Sequence, residues 1–107
     1  MQHVLIDACG WVACMEAGLN VERDLEALLG PCSWVLLPHV EKELEMLERG
    51  RPKKKSLLLS LLRSRANRLE GQPGGHTDDV LVACAMEHNW ATLTVDTALK
   101  RRLYEAN

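Results

Sequence analysis

Val4-Leu5-Ile6-Asp7 and, towards the other end of the chain, Ala91-Thr92-Leu93-Thr94-Val95-Asp96 decide the fold between them. Each is a short apolar or β-branched run that ends on an aspartate. Short apolar runs suit strands buried on both faces, as in a parallel sheet. A third run, Trp34-Val35-Leu36-Leu37, stops at Pro38, which cannot continue a ladder.

The intervals between these runs read as helices. Gly10 to Ala17 is a short one, followed by a turn at Gly18-Leu19-Asn20. Val21 to Leu29 is amphipathic and is stopped by Gly30-Pro31. Val40, Leu44 and Leu47 mark one face of a helix that Gly50-Arg51-Pro52 breaks, and Leu57 to Leu69 forms the next. After a loop containing Gly71, Pro73, Gly74 and Gly75, Thr77 is suited to cap a helix from Asp78 to His88. A last helix runs from Thr97 to about Glu105. Strands separated by helices imply right-handed crossovers and a parallel sheet covered on both faces, so the predicted class is three-layer α/β/α. In such sheets ligands bind beyond the carboxyl ends of the strands, where both Asp7 and Asp96 fall.

A chain of 107 residues is enough for one domain over 1–107 and not for two. Hydrophobic residues make up 47%, which excludes a disordered chain. No apolar run approaches the roughly 20 residues of a membrane span. The first residues show no signal-peptide pattern, so the expected location is cytoplasmic. Cys9, Cys14, Cys32 and Cys84 form no C-x-x-C pair and are expected to be reduced and mostly buried. The net charge of −2 conceals an asymmetry. Residues 1–48 carry nine acids against two bases, a balance of −7, and residues 49–107 eleven bases against six acids, a balance of +5. A uniformly basic nucleic-acid binder would not look like this; an acidic pocket with basic surfaces around it would.

Two further acids join Asp7 and Asp96 as candidates. Glu43 lies at the margin of the Val40/Leu44/Leu47 stripe, where a carboxylate against apolar surface needs a partner. Asp79 and its neighbour Asp78 open the helix that continues as Val80-Leu81-Val82-Ala83-Cys84-Ala85-Met86, apolar on every side and hence expected at the centre of the domain. Successive helical residues point about 100° apart, so one of the pair faces the site more directly. Asp79 shares a face with Ala83 and Met86, small or flexible residues that would let it approach the sheet, and Asp78 is left a supporting role. Taken singly, each acid has an ordinary explanation as a helix cap or a solvated side chain. Taken together, converging carboxylates resist ionisation unless a cation compensates. Hard oxygen donors suit Mg²⁺ or Mn²⁺, and such ions activate water and stabilise the leaving oxygen of a phosphodiester. Asp7, Glu43, Asp79 and Asp96 are therefore the expected catalytic and metal-holding set.

The same segments resemble the PIN domain family of endoribonucleases. Val4-Leu5-Ile6-Asp7 is similar to the family's first strand and its aspartate, and Pro38 to Leu47 to the helix in which an acid precedes Leu. Asp79 to Ala85 resembles the Asp-led central helix, and Ala91 to Asp96 the strand that ends in the last acid. His76-Thr77-Asp78-Asp79, with Asp96-Thr97-Ala98-Leu99-Lys100-Arg101-Arg102-Leu103, looks most like the branch that processes precursor ribosomal RNA. The resemblance implies RNA as substrate, Mg²⁺ or Mn²⁺ as cofactor, and ribosome-assembly factors as partners. The toxin branch shares the four acids and would instead imply an antitoxin. Two features depart from the family. It usually has Asn two residues after the first Asp, where this chain has Cys9, and that Asn helps to hold the site. The family also commonly adds an edge strand after the last helix. The sequence ends at Asn107 before one, so either that strand lies outside it or an open sheet edge invites pairing with another chain, a second copy included.

Three classes of function compete. The first is the metal-dependent ribonuclease; the second is an inactive acidic-pocket scaffold in a ribonucleoprotein, supported by Cys9. The third, a phosphoacceptor signalling domain, needs an acid pair after the first strand and an aspartate after a middle one. Here the acid pair opens a helix and the middle strand ends at Pro38. Arg51, Lys53, Lys54 and Lys55 between two helices, and Lys100 and Arg101 after Asp96, are the expected phosphate contacts, which supply affinity without sequence information. Aromatic platforms for unpaired bases are few, with no Phe and only Trp11, Trp34, Trp90 and Tyr104. Replacing Lys53, Lys54 and Lys55 by Ala is expected to weaken RNA binding and flatten its salt dependence by up to about three charges' worth. An unchanged slope in a salt titration would mean that this segment is only a solvated turn.

Overall fold

The computed structural model describes residues 2–18, 20–49, 57–72 and 74–106. In chain order the elements are β1 (Gln2–Ile6), α1 (Ala8–Glu16), α2 (Val21–Leu29), β2 (Cys32–Leu36), α3 (Pro38–Glu48), α4 (Leu57–Arg65), β3 (Asn67–Arg68), α5 (Thr77–His88), β4 (Ala91–Leu93) and α6 (Thr97–Ala106). The four strands form one sheet in the order β3-β2-β1-β4, every pair parallel. Val4 lies opposite Trp34 on one side and Ala91 on the other, which aligns the carboxyl ends of β1 and β4. The chain steps outward from β1 through β2 to β3 and then returns across the sheet to β4. With right-handed crossovers, that reversal puts α1 to α4 on one face and α5 on the other, and α6 packs along α5. The cleft between β1 and β4 is the point where the direction of winding changes.

Val4, Leu5 and Ile6 of β1 and Trp34, Val35 and Leu36 of β2 are buried, as strands covered on both faces require. Trp11 of α1 meets Trp34 edge to face at a centroid separation of 5.5 Å. Leu59 and Leu62 of α4 and Leu99 of α6 close the two helical layers over the sheet. Among the described residues, no helix is long and apolar enough to cross a membrane. The three-layer α/β class expected from the strand runs is therefore the class observed.

Several boundaries differ from the sequence expectation. The helix expected over Leu57 to Leu69 ends at Arg65, and Asn67–Arg68 pairs with β2 as a short strand. Polar residues make this strand invisible to a hydrophobic pattern; it is held by its backbone, with Leu69 N–H donating to the Leu36 carbonyl at 3.0 Å. The cap of α5 is His76 rather than Thr77, its ring accepting from the Asp78 N–H. On α3 the buried positions are Val40, Glu41 and Leu44, while Leu47 is exposed. Glu41 enters the interior because Arg63 of α4 and Arg68 of β3 meet it at 2.8 and 3.1 Å. Pairing offsets the cost of burying its charge, and a single-sequence reading cannot see partners 22 and 27 residues away.

Gly10 governs how closely α1 approaches β4. A Cβ at this position would lie 2.6 Å from the Leu93 carbonyl oxygen and 2.8 Å from the Thr94 Cα, both backbone atoms that cannot swing aside. Gly10→Ala is expected to destabilise the fold by about 1–3 kcal/mol or more, the usual range for overpacking, read as a lower urea midpoint. A midpoint within error of the parent's would show that α1 can move away at no cost.

Candidate active site at the strand ends

Asp7 is the first residue after β1 and the N-cap of α1, and it is buried. One carboxylate oxygen, Oδ1, accepts from the Ala8 N–H at 2.9 Å. The other, Oδ2, accepts from the Thr94 hydroxyl and from the Cys9 thiol, each at 2.8 Å. Its backbone N–H extends the ladder to β4 by donating to the Leu93 carbonyl at 3.0 Å. The carboxylate is thus fixed from its own helix and from the neighbouring strand.

Thr94 is buried just past the end of β4. Its hydroxyl donates to Asp7 and accepts from the Asp96 N–H at 3.1 Å. Asp96 in turn caps α6, its Oδ1 accepting from the Leu99 N–H at 3.1 Å. The strand expected to run to Val95 stops at Leu93 because Thr94 turns towards Asp7 and Asp96, which leaves Val95 exposed. Thr94 was not among the sequence candidates. Its one signal is the T-x-D spacing, which also occurs at simple helix caps.

Cys9 stands where the family resemblance leads one to expect Asn, and it is a hydrogen-bond donor to Asp7 as an amide would be. Burial, reinforced by the hydrogen bond to Asp7, pushes its thiol above the ordinary cysteine range. The proton therefore stays on sulfur at neutral pH, and the donor role is retained.

The acid pair of α5 has the reverse of the expected placement. Asp78 is partly buried, and its carboxyl is pushed up by burial and then by the charges of Asp7 and Asp96; His76 and Arg102 pull the other way. Asp79 is well exposed and forms an ion pair with Arg102 at 2.8 Å. The physical reason is helix rotation. Leu81, Val82 and Ala85, which follow Asp78 at i+3, i+4 and i+7, are buried against the sheet. Ala83 and Met86, which share the Asp79 face, are exposed, so α5 is not buried all round.

Three of the expected acids therefore share one electrostatic environment: Asp7, Asp78 and Asp96. Glu43 is partly buried on α3, is not among the charges acting on Asp78, and has no hydrogen-bond or ion-pair partner among the described residues. Among the described residues, no three His, Cys, Asp or Glu side chains lie close enough to share one metal ion as they stand. The donors nevertheless fit a hard divalent cation in kind. They are carboxylate oxygens, and the repulsion from Asp7 and Asp96 that adds to burial in raising Asp78 is a charge excess that such an ion would relieve.

Of the expected phosphate contacts, Arg51, Lys53, Lys54 and Lys55 lie outside the described residues. Lys100 and Arg101 are exposed on α6. Arg63, Arg65 and Arg68 are engaged with Glu41 and Glu45, with Glu22, and with Glu41 and Glu70. Trp11 and Trp34 are buried, and Trp90 is stacked between His3 and His88, so Tyr104 is the most exposed of the four aromatic side chains.

The raised Asp78 carboxyl has a sign that can be measured. A group protonated more readily in the folded state favours folding below the ordinary carboxyl range, and that contribution is lost as pH rises through the folded value. Asp78→Asn is expected to raise the melting temperature of the metal-free protein at pH 7 and to flatten the fall in stability just above pH 4. Thermal melts across that range check it; an Asn variant that melts lower at pH 7 would mean that Asp78 is held by attraction.

Comparison with known proteins agrees with this geometry. The model of a PIN-like domain matches residues 4–107. Among solved structures, one described as the PIN domain endonuclease Utp24 superposes with a TM-score of 0.80 at 27% identity, covering 94% of this chain and 76% of that one. No curated protein sequence gives a significant match. A parallel β3-β2-β1-β4 sheet, aspartates at the ends of β1 and β4, and a family match over nearly the whole length lead to one conclusion: the chain belongs to the PIN-like domain family.

Proposed function

We propose that this protein is an endoribonuclease that hydrolyses RNA phosphodiesters with Mg²⁺ or Mn²⁺ at the carboxyl ends of β1 and β4. The observation that carries this reading is that Asp7, Asp78 and Asp96, three acids from three elements, lie near enough for the charges of Asp7 and Asp96 to add to burial in raising the Asp78 carboxyl. In this reading Asp7, Asp96 and Asp78 hold the ion, and Glu43 faces it from α3. When bound, the ion supplies an activated water and stabilises the leaving oxygen. Thr94 and Cys9 orient Asp7 so that its carboxylate meets the ion in one direction. Asp79, assigned to the metal by sequence alone, serves instead as the counterion of Arg102. RNA is the substrate by the resemblance to PIN endoribonucleases, and the likeness to an endonuclease structure supports a nuclease. Ribosomal-RNA maturation, with ribosome-assembly factors as partners, rests on the resemblance of His76 to Asp79 and Asp96 to Leu103 to that branch.

A second reading, a catalytically weak RNA-binding scaffold, is favoured by the absence of any closed group of metal donors among the described residues. One experiment separates the two: melting temperature and cleavage of single-stranded and structured RNA, each with Mn²⁺, Mg²⁺ or EDTA. Asp7→Asn and Asp96→Asn are expected to abolish both the Mn²⁺-induced stabilisation and the cleavage while keeping the parent circular dichroism. Asp78→Asn is expected to cost about 100-fold or more in cleavage, and Asp79→Asn far less, since even residues that only orient a ligand cost roughly 10–100-fold. Metal-induced stabilisation that survives in both strand-end variants would sink the shared site. Stabilisation without any cleavage of RNA by the parent would favour the scaffold.

A further inference from the structure

The assignment of Asp79 away from the metal leaves its partner to be explained. Arg102 lies on α6, three residues after the fully buried Leu99 and one before the partly buried Leu103. Its side chain therefore leaves from the edge of the packed face, and its Nη2 meets Asp79 Oδ1 at 2.8 Å over the first turn of α5. The two side chains are 45% and 65% exposed. An ion pair this open contributes little to stability and exchanges readily. The contact uses one nitrogen of a group with five N–H donors.

We propose that Arg102 is the phosphate-positioning residue of this site, parked on Asp79 in the free protein and transferred to an RNA phosphate when substrate arrives. The proposal rests on the nuclease reading for the identity of the polyanion. Its physical basis is the charge of the cleft. Asp7, Asp78 and Asp96 repel an approaching phosphodiester, and the repulsion must be answered by a base at the rim. Arg63, Arg65 and Arg68 pair with acids of α2, α3 and the β3 segment and are not among the charges acting on Asp78. Lys100 lines a groove of about 410 Å³ between α5, β4 and α6, beside Trp90 and Tyr104. Arg102, with His76, is one of the two described basic groups whose charge reaches Asp78. Its planar guanidinium can take two oxygens of one phosphate, which a lysine cannot do. Asp79 has a matching purpose. An uncommitted guanidinium beside three carboxylates would pair with them and compete with the metal; an exposed acid one residue along the helix holds it at the rim instead.

The two halves of the ion pair then have opposite effects, which a structural staple between α5 and α6 would not produce. RNA binding is measured by fluorescence anisotropy with a short single-stranded RNA in EDTA, so that neither cleavage nor metal enters. Arg102→Gln is expected to weaken binding by about tenfold, the scale of one charge-assisted hydrogen bond, and to lower the salt slope by about one charge. Asp79→Asn, which frees the guanidinium, is expected to tighten binding, and Arg102→Lys to fall between Gln and the parent. With Mn²⁺ present, Arg102→Gln raises KM by a larger factor than it lowers kcat. Equal loss of RNA affinity in Asp79→Asn and Arg102→Gln, or equal loss of melting temperature with affinity and salt slope unchanged, would overturn the proposal. If the parent cleaves RNA while Arg102→Gln binds it as tightly as the parent, this proposal fails alone. If the opposite signs appear but no RNA is cleaved with any metal, the nuclease reading fails and Arg102 stands as an anion anchor.

Discussion

A single buried hydroxyl joins the two strand ends on which the cleft is built. Thr94 donates to the Asp7 carboxylate and accepts the Asp96 N–H, so one side chain sets the spacing of the first and last acids. Neither acid has that spacing from its own strand. β1 and β4 deliver their ends in register, but a strand end frays unless something beyond the ladder holds it. The hydroxyl and the close approach of α1 at Gly10 hold it here. A valine of similar shape in place of Thr94 would leave Asp7 Oδ2 with the Cys9 thiol alone and remove the partner of the Asp96 N–H, so the link between the two strand ends would be lost.

Around that hydroxyl the acidic cleft keeps a charge imbalance that the rest of the fold avoids. The interior acid of α3, Glu41, is met by two arginines. Asp7 has neutral donors only among its hydrogen-bond partners, and Arg102 is bound to Asp79, the outer of the two α5 acids. The contrast is informative because both arrangements occur in one small domain. Where an acid serves packing, it is neutralised in place; at Asp78 the charges of Asp7 and Asp96 add to burial and outweigh the opposing pull of His76 and Arg102.

Cys9 illustrates how a departure from a family pattern can leave the physics intact. A thiol in solution is a weak donor that ionises at mildly alkaline pH, a poor replacement for an amide. Burial beside a carboxylate opposes thiolate formation, so the residue remains a donor at the position where one is needed. The identity of the residue changed and the direction of its hydrogen bond did not.

The apolar runs ending in Asp7 and Asp96, the breaks at Gly30-Pro31 and Pro38, and the helical spacing between them determined the parallel α/β class and put two acids at one edge of the sheet. Those properties follow from local chemistry, because whether a segment is strand or helix and where it stops depends on its own residues. The two-residue β3, the burial of Glu41 and the inward turn of Asp78 rather than Asp79 did not appear in that reading. In the last case the helix was apolar at nearly every position, so its pattern carried no phase. Only the sheet beneath Leu81, Val82 and Ala85 could choose which side to bury, and with it which of two adjacent aspartates faces the cleft.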